Sequence, residues 1–329
     1  MKKTNIFVKS IINESNKVLL QKKTIIIFLF IFLFAILNGI YHLKSQSNNE
    51  QWKNNLNNKI TANQKKIAEW EKEYNEETDE KKKKVYLDFI ADFDKENTIF
   101  KYAVDNNIPY NVVTVWKFVY YGSSITFAIF IYIILVSSSI LSNEYSLGTI
   151  KQTAIKPIKR WKLLTSKFIA LISFNCLLFV FLFLTRLLVG FILFNKNGFG
   201  NIDIILDNNM PIERNVIQYT LTTYFLDFIK LIVISSFAFM ISVLSRSTTL
   251  ALTSALILFL SSNLIAGLLS DYSLGKYTLF PNLNLKQFLL GNSVVTSGLS
   301  LKFSVIILSL HFIAFSTMSL LTFEKRDIV

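Results

Sequence analysis

Thr24 to Tyr41 is a run of 18 residues without a charge, and a helix needs about 20 mostly apolar residues to cross the hydrocarbon of a bilayer. Lys22 and Lys23 precede the run and no small-x-small cleavage site follows it, so it reads as a retained first span and not as a removed leader. Comparable runs recur at about Tyr120 to Leu141, Phe168 to Phe194, Tyr224 to Leu244, Thr249 to Leu269 and Phe303 to Thr322. The expected fold class is therefore an all-α polytopic membrane protein with six transmembrane helices. A composition that is 52% hydrophobic and a mean hydropathy of +0.42 agree with that class and exclude an ordinary soluble domain.

The formal charge of +13 would point to nucleic acid in a soluble chain. Here many Lys and Arg stand at the ends of apolar runs, where they set orientation, and no nucleic-acid partner is expected. Lysines before the first run and Lys325 and Arg326 after the last place both termini in the cytoplasm. Residues 1 to 23, with Ile6, Phe7, Ile11, Val18 and Leu19 among six lysines, read as an amphipathic helix lying on a membrane surface of anionic lipid. Residues 42 to 115 then fall outside the cytoplasm. Leu56, Ile60, Ile67, Trp70 and Tyr74 recur at helical spacing with Asn63 interrupting the seam, and Tyr86, Phe89, Phe93 and Phe100 follow KKKK, which predicts an extracytoplasmic helical hairpin. Residues 116 to 329 form the remaining core. Within it, 195 to 217 read as a short external loop, and 270 to 300, broken by Gly275, Pro281 and Gly291, as short outer or re-entrant helices. Cys176, inside an apolar run, reads as a small buried hydrophobe.

Few residues could carry chemistry. There is no G-x-x-x-x-G-K-[ST] phosphate loop, no H-E-x-x-H and no C-x-x-C, so no ATP hydrolysis, catalytic metal or cofactor is expected in this chain. The polar residues within the spans are Arg186, Asp227, Lys230 and His311. Asp227 and Lys230 are three apart on one helix face, and a salt bridge from Asp227 to Lys230 or to Arg186 is the structural expectation; contact with a substrate is the functional one. His311 is expected to bond across a helix interface.

The polar segment 142 to 167 differs from a plain connecting loop. Ser142 and Asn143 can cap a short helix from about Glu144 to Ile155, Lys156 before proline ends it, and Pro157 opens a new helix that carries Trp161 as interfacial anchor into the third span. In NEYSLGTIKQTAIKPIKRWKLLTSKFIA the residues Glu144, Gly148-Thr149, Pro157, Arg160 and Lys167 resemble the first cytoplasmic loop of ABC-2 type transporter permeases. The six spans, the N-terminal helix, the broken segment with FPNLNL and the terminal FEKRDIV extend the likeness, while the long insert between the first two spans departs from it.

The resemblance implies a permease subunit of a bacterial ABC exporter in the plasma membrane. It would pair with a second permease, as homodimer or heterodimer, and be served by a separate ATPase that holds the ATP and Mg. Glu144, Gly148, Thr149, Ile150, Pro157 and Arg160 would form the coupling contact. A hydrophobic path of that kind suits a peptide, lipid or drug, and the Lys, Asn, Ile and Phe bias suggests an AT-rich bacterial genome in which peptide export or resistance is natural. The other reading is a membrane-anchored sensor or envelope-assembly protein whose external hairpin binds a ligand without transport.

Overall fold

The computed structural model describes residues 6–45, 51–110, 112–150, 158–198, 200–207, 209–289, 294 and 298–326. Its elements are α1 (Ile6–Leu19), α2 (Lys22–Ser45), α3 (Trp52–Glu76), α4 (Glu80–Asp105), α5 (Val115–Tyr121), α6 (Thr126–Ser146), α7 (Arg160–Phe194), β1 (Ile202–Asp207), β2 (Met210–Asn215), α8 (Val216–Ser245), α9 (Thr248–Leu268), the single turn α10 (Leu279–Asn282) and α11 (Leu301–Lys325). Among the described residues, α2, α6, α7, α8, α9 and α11 are long and apolar enough to cross a membrane.

The chain divides into two compact units, one of Met1–Phe34, Gly122–Thr185 and Thr222–Val329, the other of Ala35–Tyr121 and Arg186–Leu221. The first is a helical assembly sealed by aromatic contacts and by serines. Phe130 of α6 stacks on Phe259 of α9 with ring centroids 5.1 Å apart, and Phe168 of α7 meets both Phe239 of α8 and Phe312 of α11. Small hydroxyl residues let backbones approach and tie helices together, as is common where lipid offers no hydrophobic drive between them. Ser142 Oγ lies 2.6 Å from Thr248 Oγ1, and Asn175 donates to Ser235 Oγ at 3.0 Å. Further back along α6, Thr24 Oγ1 donates to the Val18 carbonyl and lies 2.9 Å from Tyr132 Oη, which fixes the turn between α1 and α2.

In the second unit α3 and α4 run antiparallel. Trp70 lies against Phe89 and Phe93, and the interrupting Asn63 is buried, donating to Asn97 Oδ1 at 3.1 Å and to Glu96 Oε2 at 2.9 Å. The far end of the pair closes on Trp52, Leu56, Phe100, Ala103, Val112 and Ile204.

Three expectations are corrected here. The stretch read as an external loop contains an antiparallel ribbon, Ile202 pairing with Asn215 through Asp207 with Met210, so the fold is not wholly helical. Asn209, at φ 63°, supplies the left-handed residue that such a tight turn requires. The second span does not begin at Tyr120: α5 ends at Tyr121, a 3₁₀ turn covers Gly122–Ile125, and α6 starts at Thr126. Cys176 is exposed on α7 and is not a buried filler.

Candidate functional site

The segment 142 to 167 is built differently from its sequence reading. Ser142 and Asn143 do not cap a new helix, because α6 runs on through them to Ser146. Ser142 Oγ instead donates back to the Ser138 carbonyl at 2.6 Å, the usual outlet for a serine within a membrane helix. Glu144 thus belongs to the last turn of α6. The helix stops at Leu147, whose N–H reaches the Asn143 carbonyl, and Gly148 follows at φ +67° with its N–H on the Tyr145 carbonyl. That left-handed position after a helix end is one glycine takes without strain. Thr149 Oγ1 reaches the Glu144 carbonyl at 3.5 Å, and Ile150 is buried. Pro157, with the rest of 151–157, lies outside the described residues. Arg160 opens α7 and donates to the Arg326 carbonyl at 3.1 Å, while Arg326 donates to the Leu244 carbonyl at the end of α8.

Around Glu144 the structure assembles four charges from three helices. Lys167 of α7 is fully buried, its Nζ 2.6 Å from Glu144 Oε1 and 2.7 Å from Glu14 Oε2 of α1. Lys17 of α1 closes the ring, 2.8 Å from Glu14 and 3.2 Å from Glu144. Two carboxylates and two ammonium groups alternate, so each charge meets two of opposite sign and the cluster is neutral. Neutrality and direct hydrogen bonds are the conditions under which buried charges are tolerated. Burial by itself would raise the Glu14 pKa, but Lys167 and Lys17 outweigh it and hold the carboxyl below its usual range. Burial likewise works against the Lys17 ammonium, and Glu14 and Glu144 overcome it and raise its pKa. A cavity of about 320 Å³ lies beside the ring, lined in part by Glu14, Lys17, Gln21, Ser139, Asn143 and Glu144. Mechanically, the ring is a clamp joining α1, the end of α6 and the start of α7.

Sequence reasoning placed Glu144 and Lys167 in one motif but missed Glu14 and Lys17. The available signal was Glu14 itself, since Phe7, Ile11, Glu14 and Val18 share one stripe of α1 and an acid stands there among apolar residues.

The intramembrane polar residues also find other partners than those expected. Asp227 pairs with Lys286, from the broken segment, at 2.9 Å. Lys230 sits over the rings of Phe130 and Phe259 at 5.7 and 5.2 Å. Arg186, in the second unit, donates to Asn38 Oδ1 at 2.9 Å and to the Phe118 carbonyl at 2.6 Å, with its guanidinium 3.8 Å above the Phe118 ring. His311 Nδ1 bonds the Ile307 carbonyl of its own helix at 2.8 Å, not a neighbouring helix.

The second unit holds a charged cluster of its own. Arg214 reaches Asp203 Oδ2 through Nη2 at 2.8 Å and through Nε at 3.2 Å, and stacks 3.8 Å over Tyr219. The buried Lys117 lies 3.7 Å from Asp203 Oδ1 and donates to the Tyr110 carbonyl at 3.1 Å. Burial pushes the Lys117 pKa down, with Asp203 opposing it, and raises the Tyr110 phenol to about 12.

Six long apolar helices define a polytopic membrane protein, almost entirely helical. The chain belongs to the family described as a protein of unknown function, DUF2705, which matches residues 86–329. It is similar to the uncharacterized protein YhcI of Bacillus subtilis (strain 168), 31% identical over 267 residues that cover 79% of this chain and 85% of that protein. It is also similar to the uncharacterized membrane protein YdbK of the same organism, 24% identical over 197 residues that cover 59% of this chain and 76% of that protein.

Proposed function

We propose that this chain is the transmembrane permease subunit of a bacterial ABC exporter, in the plasma membrane with both termini cytoplasmic and the α3–α4 pair outside. The observation that carries the reading is the four-charge ring. It fastens the end of the second span to the start of the third and to α1, at the segment whose residues resemble the coupling loop of ABC-2 type permeases. A push on Gly148 to Ile150 from an ATPase would be delivered to both spans at once, because Glu144 and Lys167 are bonded to each other. The ATP and Mg belong to that partner, and the functional unit has two permease subunits.

The test is co-purification of the full-length chain with the product of any neighbouring reading frame that carries a Walker A motif, followed by ATPase rates. Association is expected, together with a rate that falls several-fold on Glu144→Gln or Gly148→Pro. A pair that does not associate, or whose rate ignores both variants, overturns the proposal.

One observation favours the sensor reading. The second unit has a cavity of about 480 Å³ lined by residues including Trp52, Val112, Thr114, Lys117, Asn197 and Ile202, a size and lining suited to a small ligand. An exporter can use such a pocket as well, so ATPase association decides between the two.

A further inference from the structure

Lys230 stands six residues inside the apolar run of α8 that opens at about Tyr224, level with Phe130, the fifth residue of α6. An ammonium at that depth is expensive unless something answers its charge. The nearest carboxylate is Asp227, one turn away, but that group is held at 2.9 Å by Lys286. No carboxylate among the described residues lies within 4.0 Å of Lys230. What it has are two aromatic faces, Phe130 from α6 and Phe259 from α9, themselves stacked on each other 5.1 Å apart. The rings steady a cation without neutralising it. Lys230 is also half-buried and not sealed off.

Lys286 reaches Asp227 because its segment is folded back upon itself. Gln287 donates to the Pro281 carbonyl at 2.9 Å, and Asn282 donates to the carbonyls of Lys276 and Thr278. Non-helical backbone at membrane depth is tolerated where it lines a protein interior or a path. Two ammonium groups and one carboxylate therefore meet beside an aromatic wall within a turn or two of the first residues of α6.

We propose that Lys230, backed by Phe130 and Phe259 and bordered by the Asp227–Lys286 pair, binds the anionic headgroup of an amphiphile, phosphate or carboxylate in class. The headgroup supplies the second negative charge that two ammonium groups sharing one carboxylate lack, and the rings take the first methylenes of the tail. This deepens the exporter reading by naming its substrate class and rests on that reading only for transport; binding itself needs no ATPase.

The full-length chain in dodecyl maltoside is immobilised and loaded with radiolabelled dodecyl phosphate. Competition is then measured with lauric acid, dodecanol, dodecyl trimethylammonium and inorganic phosphate. Lauric acid and unlabelled dodecyl phosphate are expected to compete about tenfold better than dodecanol or the cationic amphiphile, and inorganic phosphate not at all. Lys230→Gln should abolish the preference for anions and Lys230→Arg should keep it. Equal competition by dodecanol, competition by inorganic phosphate at the same concentration, or an unchanged preference in Lys230→Gln each overturns the proposal.

A structural role for the ammonium is separated by thermal unfolding. Removing the ammonium in excess of the one nearby carboxylate should leave the Lys230→Gln midpoint unchanged or higher, and a lowered midpoint with anion preference retained refutes the site. Should Lys230→Gln not fold, acylation of Lys230 in the wild-type chain is followed by mass spectrometry. Protection by dodecyl phosphate supports the site and its absence refutes it. Loss of ATPase coupling with headgroup preference intact ends the exporter reading alone, and the reverse result ends this one alone.

Discussion

Lys167 Nζ lies 2.7 Å from Glu14 Oε2 although 153 residues of chain separate them, and both side chains are almost wholly withdrawn from solvent. Removing one partner strands the other as a buried charge, which costs about 3–5 kcal/mol in comparable pairs. Lys167→Met should therefore lower the thermal midpoint of the purified chain by several degrees. Glu144→Gln should cost less, about 1–2 kcal/mol, because Lys167 keeps Glu14. The double variant Glu14→Gln/Lys167→Met should lose less than the sum of its parts, as groups in one network do.

The same carboxylate gives an acid limb to stability. Its folded pKa is below the ordinary 4.5, so the folded state binds its proton less readily than the unfolded chain. That contribution is fully present above 4.5 and is lost as the pH falls below it, through the folded value. Thermal midpoints followed downward from neutrality should hold until about that point and then fall. The fall should be shallower in Glu14→Gln, and an identical acid limb in both would remove Glu14 from the cause.

Asn63 and Asn97 face each other in the seam between α3 and α4. Asn63→Leu alone leaves a buried amide without its donor, at a cost of about 1–3 kcal/mol. Asn63→Leu with Asn97→Leu restores an apolar layer and should recover most of that loss. Chemical denaturation of the full chain, monitored through Trp70 against Phe89 and Phe93, reads both.

Arg214 joins the two strands by gripping Asp203 with two nitrogens and covering Tyr219. Lysine can reproduce the charge but neither the two-pronged grip nor the planar stack. Arg214→Lys should cost about 1–2 kcal/mol and expose the ribbon to trypsin, with the cleavage rate at Lys196 as the measure. Equal protease resistance in the two proteins would show that charge alone suffices.

The six spans were legible because a run such as Thr24 to Tyr41 leaves the backbone no alternative in lipid. Their ends were less so. Ser142 and Asn143 have the chemistry of helix caps in water, yet Ser142 turned its hydroxyl back onto Ser138 and α6 continued. The ribbon was hidden by Pro211, which argues against a strand in a larger sheet but is tolerated in a two-stranded one whose edges are free. Glu14 could be seen as an acid on an apolar stripe, but its partner Lys167 stands 153 residues away and no spacing rule reaches across that distance. Lys286 was hidden for the same reason, in a segment whose broken pattern signalled irregularity without naming the Asp227 it would meet.

The order in which the ring's members are made has a consequence for biogenesis. Glu14 and Lys17 leave the ribosome first, Glu144 next and Lys167 last. At about 5–20 residues per second, Glu14 waits roughly 8–30 s for Lys167. Through that interval α1 has its acid partnered only by Lys17 and cannot seat against the third span. α1 is thus made well before the partner that locks it, so a chain arrested before Lys167 should present α1 to added protease that the finished protein resists.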